Sequence, residues 1–165
     1  ARYVSDLRII GGVDGGSPER VSLDNVIALA SERLEADLGE EADCIHFDET
    51  LNGKVVTGHV AVLSLSLATF LKHAFARIAG EKGLVLSCRS EDGDFIWLEV
   101  RNELSNGFLK DLQDGISAED IVVGLLGAHG SLWEEHFGDE GGIRSIRLRI
   151  ATSEKGWLNA SGVVQ

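Results

Sequence analysis

Apolar residues recur at helical spacing in two stretches of this chain and at alternate positions in several others. The segment VAVLSLSLATFLKHAFARIA, Val60 to Ala79, is the longest apolar run. Its polar positions Ser64, Ser66, Thr69, Lys72 and His73 do not gather on one narrow face, so a helix here is covered on most sides and is expected to be the central core helix. Upstream, Leu23, Val26, Ile27, Leu29, Ala30, Leu34 and Leu38 keep helical spacing, with Glu32, Arg33, Glu35 and Asp37 on the other side. Ser22 is the expected N-cap of this helix and Gly39 its C-cap. Between the two helices, Cys44 to Phe47 and Lys54 to Thr57 read as short strands, with Asn52-Gly53 as a turn.

Beyond the central helix the period changes to two. Gly83 opens a strand over Leu84 to Cys88, and Glu91-Asp92-Gly93-Asp94 is a hairpin turn. The return strand, Phe95 to Arg101, sets Ile96, Leu98 and Val100 on one face and Phe95, Trp97, Glu99 and Arg101 on the other. Ser105 to Asp120 is polar and interrupted, and Ile121 to His129 predicts a short helix. Ser131 to Phe137 and Ile143 to Ile150 form a final hairpin around Gly138 to Gly142. In its second strand Ile146, Leu148 and Ile150 alternate with Arg147 and Arg149, which places positive charge on the outer face. Helices segregated from a mixed, mostly antiparallel sheet imply an α+β fold, a two-layer sandwich with the helices on one face.

The ends are different. Tyr3, Leu7 and Ile10 make a seam of helical spacing that Gly11 and Gly12 stop, followed by a loop at Gly15 to Pro18. This segment reads either as the last turns of a preceding helix or as a frayed arm. Residues 1–16 are accordingly assigned to a preceding helix and linker, 17–151 to one domain, and 152–165 to a loose tail in which Trp157 is a candidate to dock. The chain starts with Ala and contains no Met, as expected of a piece of something longer.

Composition narrows the function. A chain of 165 residues suits one domain with a real core. The net charge of −12 repels phosphate backbones and anionic lipid, which argues against a nucleic-acid partner. Lys72, His73 and Arg77 break the longest apolar run too early for a membrane span, which needs roughly 18 or more apolar residues in succession. Cys44 and Cys88 make neither a disulfide framework nor a zinc site and are expected to be reduced, buried and inert. No targeting segment is visible, which favours a cytoplasmic protein.

The central helix also carries a resemblance. Thr69-Phe70-Leu71-Lys72-His73-Ala74 resembles the N-box of the histidine-kinase-like ATPases, Asn-Leu-Leu-x-Asn-Ala, and Val55-Val56-Thr57-Gly58-His59 fits the strand and turn that lead into it. About 110 residues from Val21 onward keep that family's order of elements, ending in Ala128-His129-Gly130-Ser131-Leu132-Trp133, which is similar to the family's Ala-His-Gly-Gly-x-Ile. The resemblance implies the ATP-binding domain of a bacterial two-component sensor kinase. It also makes the N-terminal segment the end of a dimerisation hairpin, and so implies a homodimer.

The same resemblance implies altered nucleotide boxes. Where the family has the final N-box Asn, whose side-chain oxygen ligates Mg²⁺, this chain has His73. Mg²⁺ prefers oxygen ligands in an octahedron, and an imidazole nitrogen replaces them poorly. The Asp-x-Gly-x-Gly box that recognises adenine corresponds to Asn102-Glu103-Leu104-Ser105-Asn106. Asn102 keeps an amide acceptor, whereas Leu104 and Asn106 remove the backbone freedom of both glycines. Ile116 and Ala118 stand at the glycines of the phosphate-holding loop, with Gly115 one residue away.

No catalytic residue and no metal ligand set is assigned. His46, His59, His129 and His136 lack metal-type spacing and read as ordinary hydrogen-bonded histidines, and His73 on a core helix reads as packed rather than as a phosphoacceptor. Phe95, Trp97, Trp133, Arg147 and Arg149 form a candidate docking patch, the alternative being that other elements cover them. The first reading is a degenerate kinase-like domain, a pseudokinase or phosphotransfer scaffold without a cofactor, whose partner is a response regulator, a sensor kinase or its own copy. The second is an active histidine-kinase domain that binds Mg-ATP weakly through unusual ligands. The third is an unrelated acidic α+β binding domain.

Overall fold

The computed structural model describes residues 18–78, 83–102, 132–137 and 143–160. Among the described residues the helices and strands, in chain order, are β1 (Glu19–Ser22), α1 (Leu23–Leu38), β2 (Ile45–Phe47), β3 (Val55–Gly58), α2 (Val60–Ile78), β4 (Leu84–Asp92), β5 (Phe95–Asn102), β6 (Leu132–Phe137), β7 (Ile143–Ala151) and α3 (Glu154–Ala160). Single 3₁₀ turns occupy Gly39–Cys44 and Glu49–Leu51.

The strands divide between two sheets. A five-stranded sheet has the order β2-β4-β5-β7-β6, with β2 parallel to β4 and every other pair antiparallel. The expected α+β architecture with a mixed, mostly antiparallel sheet is therefore observed. β1 and β3 instead form a separate antiparallel pair, Glu19 opposite Gly58 and Ser22 opposite Val55. β1 was not foreseen, because a four-residue strand with only Val21 buried shows no readable period. The neighbouring strands β2 and β3, read as consecutive across the Asn52-Gly53 turn, belong to different sheets. Gly53 takes a positive φ of 73° at that turn, and its N–H donates to the Asp24 carboxylate at 3.3 Å.

α1 starts and stops where the sequence indicates, although Ser22 makes no side-chain cap bond. The N–H of Leu23 donates to the carbonyl of Lys54 at 2.9 Å instead, tying the helix start to the chain leading into β3. α2 is buried without interruption from Val62 to Leu71. Its hydroxyls cost little there, because Ser64 donates to the Val60 carbonyl at 2.6 Å and Ser66 to the Val62 carbonyl at 2.8 Å. α1, α2 and the inward residues of the sheet, among them Leu84, Leu86, Ile96, Leu98, Val100, Ile146, Leu148 and Ile150, form one core. Among the described residues no helix is long and apolar enough to cross a membrane.

Gly83 shows how tightly β4 enters this sheet. Its φ is +91°, and a Cβ there would overlap the Cys44 carbonyl, so both the backbone conformation and the space require glycine.

The tail differs from expectation. Residues 154–160 form α3, and the docking suggested for Trp157 is observed: it is buried, its ring edge-on to His59 with centroids 5.3 Å apart. Asp94, in the β4–β5 turn, holds the helix start, its carbonyl accepting from Thr152 N–H and its carboxylate from Ser153 Oγ, both at 2.8 Å. The Ser153 hydroxyl then caps the Gly156 N–H at 3.0 Å. The helix expected at residues 121–129, the polar stretch 105–120, the glycine-rich turn at 138–142 and the N-terminal segment 1–16 lie outside the described residues.

Candidate functional site

The N-box-like sequence occupies the C-terminal half of α2. Thr69, Phe70, Leu71 and Ala74 are buried, while Lys72 and His73 are half-buried on the side the core leaves open. Lys72 Nζ lies 3.5 Å from Asp37 Oδ2, joining the ends of α2 and α1 by an ion pair. At position 73 this helix carries a half-buried imidazole. Its donor atoms are nitrogens, which do not fit the oxygen ligation that Mg²⁺ requires. Among the described residues no three His, Cys, Asp or Glu side chains gather where a metal ion would sit.

β5 ends at Asn102, opposite Leu84 at the start of β4. Asn102 therefore stands at the end of the sheet where β4 begins. The side chain of Asn102 and all of Leu104, Asn106, Gly115, Ile116 and Ala118 lie outside the described residues.

Of the candidate docking residues, Phe95, Trp97, Arg147 and Arg149 sit on the opposite face of the five-stranded sheet from the helices. The guanidinium of Arg149 lies over the Phe95 ring, 4.2 Å from its centroid. Trp97 stands opposite Arg149 in the register and Glu99 opposite Arg147. Trp133 does not share this register position: it pairs with Leu148, whereas Arg147 and Arg149 pair with Glu134 and Leu132. Its side chain lies outside the described residues.

The sequence reading left Glu99 out of the docking patch and missed Arg89. Glu99 Oε2 accepts from Arg147 Nε at 3.0 Å and from Arg89 Nη1 at 3.1 Å, so one carboxylate holds two arginines. The alternation of β5 did place Glu99 on this face. Arg89 was hidden because it sits where the register shifts between Cys88 and Ser90, and a bulge interrupts the two-residue period.

Cys44 and Cys88 are free, as expected, but half-buried rather than buried. Burial, then the nearby Glu91 charge, pushes the Cys88 thiol above its ordinary value, so little of it is thiolate at neutral pH. The hydrogen bond from Lys54 to Glu91, 2.9 Å long, raises the Lys54 amine. The Thr50 N–H, donating to the Asp48 carboxylate at 2.9 Å, lowers that acid.

No family model matches the chain. No curated protein matches it in sequence. Solved structures do match. The Acinetobacter baumannii histidine kinase AdeS superposes with a TM-score of 0.59 at 15% identity, over 91% of this chain and 77% of that one. The mycobacterial sensor histidine kinase MprB gives 0.54 at 14% identity, over 81% and 97%. Full-length ShkA in complex with AMPPNP gives 0.56 at 17% identity, over 92% of this chain and 36% of that one. Identities this low bear on the fold alone, and together with the element order above they establish that this chain has the fold of the histidine-kinase ATPase domain.

Proposed function

We propose that this chain is a two-component signalling module that keeps the architecture of a histidine-kinase ATP-binding domain and works without Mg-ATP, as a pseudokinase or phosphotransfer scaffold in the bacterial cytoplasm. His73 carries this reading. The resemblance aligns it with the Mg²⁺-ligating Asn of the N-box, and it offers a nitrogen donor where an oxygen is needed. Leu104, Asn106, Ile116 and Ala118, which replace glycines at the other two boxes, support it from the sequence. What remains for such a domain is protein recognition, with a response regulator, a sensor kinase or a second copy as partner.

A second reading, weak Mg-ATP binding through unusual ligands, is favoured by one observation. ShkA, of similar fold, was solved with AMPPNP. Calorimetric titration with millimolar ATP, with and without Mg²⁺, separates the two. No heat and no thermal stabilisation is the expected result, and binding that strengthens with Mg²⁺ overturns the pseudokinase reading. His73→Asn sharpens the test: if position 73 is the missing ligand, only the variant gains Mg²⁺-dependent binding.

A further inference from the structure

We infer that the arginine-bearing face of the five-stranded sheet is a docking surface for an acidic protein segment, one that presents carboxylates beside an apolar residue. The inference names the partner chemistry of the scaffold reading, yet it stands apart from the nucleotide question, because the face lies on the opposite side of the sheet from α2.

The charge distribution is the first argument. The chain has 27 acidic and 15 basic residues, yet Arg89, Arg101, Arg147 and Arg149 all belong to this one sheet face. The register also sets Asp92 opposite Phe95 and Glu134 opposite Arg147, but among the described hydrogen bonds the acid that holds these arginines is Glu99. It is only 12% exposed and is spent on two guanidinium groups at once, so each keeps most of its five donors for other acceptors. Arg101 is exposed, and its charge, after the hydrogen bonds from Thr50, helps to lower the pKa of the Asp48 carboxyl. The Nε of Arg149 is buried with no hydrogen-bond partner.

Geometry supplies the second argument. Arg147 and Arg149 alternate along β7, roughly 6–7 Å apart, the spacing of alternate side chains in an extended segment. Glu99 and Phe95 hold the guanidinium groups of this face in place, which reduces the side-chain entropy lost when a carboxylate arrives. Trp97, half-buried opposite Arg149, supplies apolar area at the centre, and tryptophan and arginine are the residues that most often carry interface energy. A compact acidic segment answers this face. An extended polyanion or an anionic membrane would also meet the surrounding field of a chain with net charge −12.

The test uses the full chain and a fluorescein-labelled peptide of alternating Glu and Phe, read by anisotropy at low and physiological salt, with an alternating Lys and Phe peptide as control. We expect saturable binding of the acidic peptide alone, weakened several-fold by salt. Arg147→Glu with Arg149→Glu should lower affinity about tenfold or more, and Glu99→Gln should raise it about threefold by releasing two arginines. The gain with Glu99→Gln cannot come from misfolding, which keeps the test decisive if the double variant unfolds. Absence of binding, or binding indifferent to both variants, overturns the inference. So does tighter binding to phosphatidylglycerol vesicles than to the peptide, or self-association that the double variant abolishes, since the occupant would then be a membrane or a second copy. Failure here leaves the ATP titration unaffected, and the reverse holds.

Discussion

On the face turned toward α1 and α2, strands β4, β5 and β7 present Leu84, Leu86, Ile96, Leu98, Val100, Ile146, Leu148 and Ile150, all at most 1% exposed. On the other face the intervening positions of β5 and β7 carry Phe95, Trp97, Glu99, Arg101, Arg147 and Arg149, half-buried or exposed and linked by ion pairs and a ring contact, between the buried Ser145 and Ala151. The same strands supply both rows. The inner row is held by non-directional burial, for which shape and volume matter, whereas the outer row depends on which donor meets which acceptor. The fold this chain shares with AdeS, MprB and ShkA therefore persists at 14–17% identity.

Adjacent residues on β5 give the sharpest test of this contrast. Leu98→Ala should cost about 3 kcal/mol, since it opens a cavity in a core that cannot fully close around it. In a chain of this size that lowers the melting temperature by roughly 6–12 °C in a calorimetric scan. Trp157→Ala comes next, at about 2 kcal/mol, because its buried ring fastens α3 to Gly58 and His59. A melt that barely moves would show that α3 contributes little to the domain.

Effects on the outer face are smaller. Glu99→Gln should change stability by less than about 1 kcal/mol, because its arginine partners remain partly hydrated. A loss as large as that of Leu98→Ala would erase the distinction between the faces. Arg149→Lys should lose about 0.5 kcal/mol through its contact with Phe95, checked by denaturant titration, since a compact ammonium stacks less well than a guanidinium.

The smallest effect is a pH dependence. Lys54 is raised above its ordinary value of 10.5 by Glu91, so the contribution of this pair is fully present below 10.5 and is lost as pH rises through the raised value. The difference in melting temperature between the wild type and Lys54→Met should therefore shrink above pH 10.5. A constant difference would show that the lysine acts through packing alone.

Much of the fold was legible in the chain. The long apolar run of α2, the helical spacing of α1 between Ser22 and Gly39, and the two-residue alternation of β5 and β7 each report a local periodicity, and each element lies where its period placed it. Residue identity at one helical position, His73 where the resemblance has an N-box Asn, was likewise open to reading from the sequence. Tertiary structure decided the rest. The pairing of β1 with β3, the parallel entry of β2 beside β4, the docking of α3 onto Asp94 and His59, and the capture of Arg89 and Arg147 by Glu99 join residues far apart in the chain. A periodicity is a property of neighbours and can be read one segment at a time. Which segments meet is settled only by the burial shared among them in the folded core.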